Sequence, residues 1–188
     1  MKLVKVTLGG LMLAAAPLAA FAEDMSYSFV DLAYIETEVD GVGPSLDGFA
    51  LRGSVGFAEN WFAFAEYAAQ SVSGVDLDTI AVGLGGHYAL VENLDLVGRI
   101  GWTKAEISSG PFDVDDDGYL VDAGLRGRIG DSVELEGGAR YTDFSDGGDA
   151  TGLYVGGRFH FNKTWALGAE YQDGDDTSAI LAYVRASF

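Results

Sequence analysis

The feature that most constrains this chain is a turn pattern that recurs four times, always in the same phase with the sequence around it. Phe57 and Trp61 flank Ala58-Glu59-Asn60, and Leu90 and Leu94 flank Val91-Glu92-Asn93. Ile129 and Val133 flank Gly130-Asp131-Ser132, and Phe161 and Trp165 flank Asn162-Lys163-Thr164. On both sides of each turn the sequence alternates with a period of two, and both flanking residues belong to the apolar set. Successive strand side chains point to opposite faces, so this phase keeps the apolar residues of every hairpin on one sheet face. A sheet apolar on one side and charged on the other suits a barrel in lipid better than a soluble fold.

Reading outward from the turns gives ten alternating segments, roughly 26–35, 48–57, 61–71, 79–90, 94–105, 119–129, 133–143, 151–161, 165–171 and 178–188. Most have the length of a tilted spanning strand, about 9–11 residues. Three-residue turns follow the even-numbered strands and longer polar loops follow the odd-numbered ones. This predicts an all-β, antiparallel up-and-down transmembrane β-barrel of ten strands, with both termini on the periplasmic side. Eight strands are the alternative, if the weak ninth pairs poorly. The phase of the first strand stays open, because Tyr27 and Phe29 compete with Val30, Leu32 and Tyr34 for the apolar face.

Residues 1–22 read as a signal peptide, with Lys2 and Lys5 at the start, an apolar run from Leu8 to Leu18, and cleavage expected after Ala22. Residues 23–188 then form one barrel domain, and the expected location is the outer membrane of a Gram-negative cell. The absence of cysteine rules out a disulfide framework or a thiolate metal site. A formal net charge of −18, deepened by two when Lys2 and Lys5 leave, argues against a nucleic-acid partner.

The apolar parity assigns residues such as Leu51, Val55, Ile80, Leu84, Leu96, Ile100, Leu125, Leu135 and Val155 to lipid. Phe57, Trp61, Tyr88, Phe161, Trp165 and Phe188 gather at one end of the strands, and Phe49, Tyr67, Trp102, Tyr141 and Tyr171 at the other, as paired aromatic girdles. The opposite parity carries Arg52, Arg99, Arg126, Arg128, Arg140, Arg158 and Arg185 together with Asp31, Glu66, Asp95, Asp122, Glu134, Glu136 and Glu170. Charges inside a narrow barrel must be paired or solvated. The equal inventory predicts a lumen filled by Arg–carboxylate pairs, Arg being suited by its bidentate fork. Inward Phe62, Phe64, Tyr154 and Tyr183 leave little room for a broad channel. The excess acid falls in the loops, which contain no Lys or Arg, with Lys104 nearest. Such a rim would recruit divalent cations, which bridge lipopolysaccharide phosphates, and Lys104 could itself snorkel to a phosphate.

The sharpest local motif is Asp113-Val114-Asp115-Asp116-Asp117-Gly118, the opening half of a calcium loop, in which Asp113, Asp115 and Asp117 are the candidate ligands. Its twelfth position is Gly124 rather than a bidentate Glu, which leaves weak divalent binding by a solvated acidic loop as the expectation. No cofactor is expected. His87 and His160 both fall inward near the periplasmic ends of strands 4 and 8, away from the outer loops where barrel proteases keep their catalytic groups. Lumen hydrogen bonds account for both. Gly83-Leu84-Gly85-Gly86 precedes no helix, so a phosphate cradle is excluded. No catalytic residue is assigned and the chain does not read as an enzyme.

The signal peptide, the run Gly48-Phe49-Ala50-Leu51-Arg52-Gly53-Ser54-Val55, the turn Glu59-Asn60-Trp61 and a closing strand ending in Phe188 resemble the small outer-membrane β-barrel proteins of proteobacteria. More narrowly, the chain is similar to a group of ten-stranded barrels once linked to cell–cell signalling and plant immune activation, a role not carried over here. The resemblance implies that Ile180, Ala182, Val184, Ala186 and Phe188 form the signal read by the barrel-assembly machinery. It also suggests a monomeric, porin-like barrel that supports envelope integrity or surface contacts, or alternatively a small passive, cation-preferring pore. Deleting Phe188 is expected to impair insertion, seen as loss of the heat-modifiable folded band from outer-membrane fractions. Normal amounts of that band would refute the assembly role.

Overall fold

A computed structural model describes residues 25–188, apart from the side chain of Val42. The expected signal peptide, residues 1–22, lies outside the described residues. Among the described residues ten strands follow one another: β1 (Phe29–Val39), β2 (Val42–Ala58), β3 (Trp61–Val72), β4 (Val75–Val91), β5 (Leu94–Ser109), β6 (Phe112–Ile129), β7 (Val133–Phe144), β8 (Gly148–His160), β9 (Trp165–Gly174) and β10 (Thr177–Ser187). Each pairs antiparallel with its sequence neighbours and β10 closes on β1, so the sheet is a barrel without edges. The weak β9 pairs fully with both β8 and β10, which removes the eight-stranded alternative. Both strand termini lie at one end, the lower end.

Closure carries a definite stagger. The row of paired residues that starts at Asp116 on β6 runs through Ala105, Thr79, Ala68, Ala50, Ala33, Tyr183, Gly168, Arg158 and Glu134. It returns to β6 at Arg128, twelve positions farther along the strand. A sheet can close with such an offset only if its strands lean, typically by ~35–45° from the barrel axis.

The strands are longer than their apolar alternation, and here the structure corrects the sequence reading. The long polar loops expected after β1, β3, β5, β7 and β9 are instead tight turns on extended hairpins. β3 and β4, for example, are joined by Ser73-Gly74 alone, with φ of 47° and 86°. Two successive left-handed residues make the primed turn whose twist matches the flanking strands. The residues assigned to loops form rungs instead, Leu77 opposite Ile107 and Ile107 opposite Val114 among them. Polarity marks where lipid ends, but it does not end a strand whose backbone still has a partner.

The alternation also settles β1. Tyr27 and Asp31 are buried inside, whereas Leu32 and Tyr34 are exposed outside. Leu32, Leu51, Ile100, Leu153 and Ile180 are each more than half exposed on the outer face. With the aromatic girdles above and below, they form the lipid-facing belt of a transmembrane barrel. Trp102 Nε1 donates to Asp117 at 3.0 Å and the Tyr67 hydroxyl to Asp78 at 2.7 Å, so the upper girdle turns its polar tips towards an acidic collar just above it.

Large aromatics fit inside because strand glycines lie beneath them. A Cβ on Gly85 would stand 2.2 Å from Phe62 Cζ, and one on Gly168 would stand 2.4 Å from Tyr183 Cζ. Replacing Gly85 with valine is expected to cost ~1–3 kcal/mol through overpacking. Gly53→Ala, whose nearest non-neighbouring atom would be 3.9 Å away, should stay within ~0.5 kcal/mol. Urea unfolding of the refolded barrel, followed by tryptophan fluorescence, checks both.

Candidate functional site: the charged lumen

Alternation sends charge inward, and register decides which charges meet. Asp31 stands opposite both Arg52 and Arg185, Arg99 opposite Asp122, Asp122 opposite Arg140, Arg128 opposite Glu134, and Glu134 opposite Arg158. Opposite residues on paired strands bring their Cβ atoms to ~5 Å, close enough for guanidinium and carboxylate to bond directly. Three buried carboxylates thereby become hubs.

Asp31, fully buried, receives both prongs of Arg185 at 2.7 Å and lies 3.1 Å from Arg52 Nη2. Arg52 also reaches Glu170 at 3.0 Å, and Gln172 donates to the other oxygen of Glu170 at 2.7 Å. Asp122 takes Arg99 Nε at 3.0 Å and Arg140 Nη2 at 3.2 Å, while Glu66 joins the same two arginines at 2.8 and 3.7 Å. Glu134 is the densest hub. It accepts from Arg126 at 2.7 Å, from Arg158 at 2.9 Å and from Arg128, with His160 Nε2 3.1 Å away. Arg158 turns its remaining nitrogens to Glu136 at 3.1 and 2.9 Å and to the Tyr183 hydroxyl at 3.2 Å.

Four of the arginine planes have a second use. Arg185 lies 3.4 Å from the Phe29 ring centroid, Arg52 and Arg126 each 4.7 Å from Tyr183 and Tyr27, and Arg99 5.4 Å from Phe64. A guanidinium can bond carboxylates in its plane and cover an aromatic face at the same time, which an ammonium cannot do as well. A cavity of about 70 Å³ remains between Tyr27, Phe64, Glu66, Arg99, Arg126 and Tyr154. That is enough for a few ordered waters and too little for a wide aqueous path.

Asp95 differs from the other carboxylates. It accepts the Tyr27 hydroxyl at 2.7 Å and lies 3.3 Å from His87 Nδ1. Tyr27 stacks on His87 with ring centroids 4.0 Å apart and on Phe62 at 5.1 Å. Together with buried Met25 it draws the segment before β1 into the lower mouth. Sequence reading left Tyr27 unassigned; the parity of Asp31, extended backwards, would have sent it inward.

Asp113, Asp115 and Asp117 sit on the outer face of β6, in an extended strand rather than a loop. At ~3.3 Å of rise per residue the first and last lie ~13 Å apart along the strand, so they cannot wrap one cation as a calcium loop does. Asp115 instead meets Lys104 Nζ at 3.0 Å, which ties Lys104 into the collar. Among the described residues no group of three or more His, Asp or Glu side chains could hold a metal ion. Ile180, Ala182, Val184, Ala186 and Phe188 share the outer face of β10 and its end, where the Phe188 amide donates to Ser28 O at 3.0 Å.

No family model matches the chain, and no curated protein matches it. Among solved structures it is similar to the KdgM porin, at 11% identity and a TM-score of 0.48, over 84% of this chain and 99% of that one. It is also similar to the N-terminal β-barrel domain of Pseudomonas aeruginosa OprF, at 8% identity and 0.47, over 86% and 99%. A third is the attachment invasion locus protein Ail of Yersinia pestis, at 16% identity and 0.40, over 85% and 94%. These are likenesses of barrel to barrel and carry no residue's role across.

Removing Glu134 strands several guanidinium groups in a space that water barely enters. Glu134→Ala is therefore expected to cost ~3–5 kcal/mol. Breaking the exposed pair with Lys104→Ala should cost no more than ~1 kcal/mol. The same urea titration, run on both variants, distinguishes a buried hub from a surface pair.

Proposed function

We propose that this protein is a non-enzymatic outer-membrane barrel whose closed lumen makes it a rigid structural element of the envelope, with its upper hairpins presented for surface contacts. The observation that carries this reading is the occupation of the lumen: three carboxylate hubs, their arginines and the inward aromatic rings fill its middle, around a cavity of about 70 Å³. In this reading the lower end is periplasmic and the acidic collar stands at the level of lipopolysaccharide phosphates. Divalent cations would bridge collar carboxylates to those phosphates, since direct contact between the two anionic layers is repulsive. The barrel acts as a monomer delivered by the barrel-assembly machinery, with Phe188 at the end of the strand that is read.

No constellation in the lumen supports catalysis. A general acid or base must reach a substrate proton within hydrogen-bond distance, and the buried carboxylates are already engaged, by arginine at the hubs and by Tyr27 and His87 at Asp95. A chain that does its work by filling its own centre should not conduct. Purified protein in planar lipid bilayers is expected to stay silent, leaving no conductance for Arg52→Ala, Glu66→Ala or Arg126→Ala to modify. A steady, ohmic wild-type conductance whose selectivity shifts in those variants would overturn the closed reading in favour of a small cation-preferring pore.

A further inference from the structure

The two faces of the sheet exchange character at the upper girdle. Within the belt the outer face is apolar and the inner face charged. Above it the outer face carries Glu36, Asp47, Asp78, Asp117, Asp143 and Asp173, one strand position beyond the aromatic ring on the same parity. The inner face of the same extensions carries Val39, Leu46, Leu77, Ile107, Val114 and Phe144, together with Asp116, which lies two positions below Val114 and accepts from Asp146 N at 3.2 Å. Their facing follows from alternation along each strand above inward Thr37, Leu120 and Thr103, the last two buried; the β1–β2 pairing shifts register between Thr37 and Val39, while β1 stays in register with β10. Leu77, Ile107 and Val114 are consecutive partners across β4, β5 and β6, so they form one continuous patch.

The ring is open at β5 and β6, whereas Val39, Leu46, Leu77 and Phe144 are partly buried. Ile107 is 49% exposed and Val114 67% exposed, and Phe112 at the hairpin tip is 74% exposed. Leaving apolar area in water forgoes roughly 25 cal/mol per Å². Polar residues would serve equally well to hold these hairpins, whose rungs are made by backbone bonds. The ring is concave, it lies above the lipid, and carboxylates surround it from outside. Further acids sit at the hairpin tips, where Asp40 N bonds Asp176 O at 2.9 Å and brings two of those tips together. The nearest cation, Lys104, is held by Asp115.

We propose that the upper mouth is a binding site for a small single-tailed organic cation. Its hydrocarbon tail lies on the inner ring and its ammonium group stands at the acidic rim. The two halves of the site select the two halves of the ligand. Apolar contact area favours a tail of any charge, and the rim discriminates among head groups. Carboxylates within a Debye length of ~8 Å favour a positive head and oppose a negative one. This inference does not depend on whether the lumen conducts, because the site lies wholly above the charged hubs.

The chain has no cysteine, so Thr177→Cys supplies a unique thiol at the rim, opposite Val39. A polarity-sensitive dye attached there, in protein held in lipid nanodiscs, reads the mouth directly. Octylammonium is expected to give a saturable blue shift. Octanesulfonate, with the same tail, should need at least about tenfold higher concentration, and tetramethylammonium should give none. Leu77→Asn with Ile107→Asn should abolish the response, while Glu36→Gln with Asp47→Asn should shrink the preference between heads. A response that never saturates, equal midpoints for the two octyl probes, or an unchanged signal in the Leu77/Ile107 variant would overturn the proposal. The head-group comparison in the labelled wild-type background stands even if a variant fails to fold.

Discussion

The requirement that buried guanidinium groups keep their partners governs the rest of this barrel. An arginine taken from water without a carboxylate is far costlier than any single packing contact is favourable. Each hub must therefore be met from a neighbouring strand, and the meeting depends on register. Register in turn depends on turn length and on the stagger at which the sheet closes. The aromatic rings that cover the guanidinium planes need bare backbone opposite them, which places Gly83 against Phe64 and Gly168 against Tyr183. Charge pairing, strand offset and glycine position are one constraint seen at three scales.

Much of this was legible because the repeat spacing carries phase information. The turn between Ile129 and Val133 already pairs Arg128 with Glu134 and Asp122 with Arg140 by counting outward, as the register has them. The inner and outer sets follow from the same parity. Strand ends were not legible, because polarity changes at the lipid boundary whereas hydrogen bonding continues to the turn, as at Ser73-Gly74. The aspartates of the Asp113–Gly118 run were misplaced for the same reason: their composition is that of a loop, yet β5 supplies each with a partner. The facing of Tyr27 stayed open because it precedes the first turn, where alternation has only one side to be read from.

The inner and outer surfaces answer to three solvents rather than two. Lipid requires an apolar outer belt, the lumen requires matched charge, and water above the membrane requires polarity on at least one face of each hairpin. The collar meets the last requirement outwardly, so its acids crowd together where girdle tyrosine and tryptophan can donate to them. The inner face of the hairpins is then free of any demand from the fold.

The bond between Asp31 and Arg185 joins residues 154 positions apart, across the seam where the first strand meets the last. Slipping that seam by one residue would turn one of the two charges out into lipid. Slipping it by two would set Asp31 against Tyr183 or Ser187 and leave the pair broken. The closing contact thus works as a proofreading step: the cylinder reaches its full stability only when its two ends have met in one alignment. That contact is also among the most distant in sequence, so it is the costliest in chain entropy and is expected to form late.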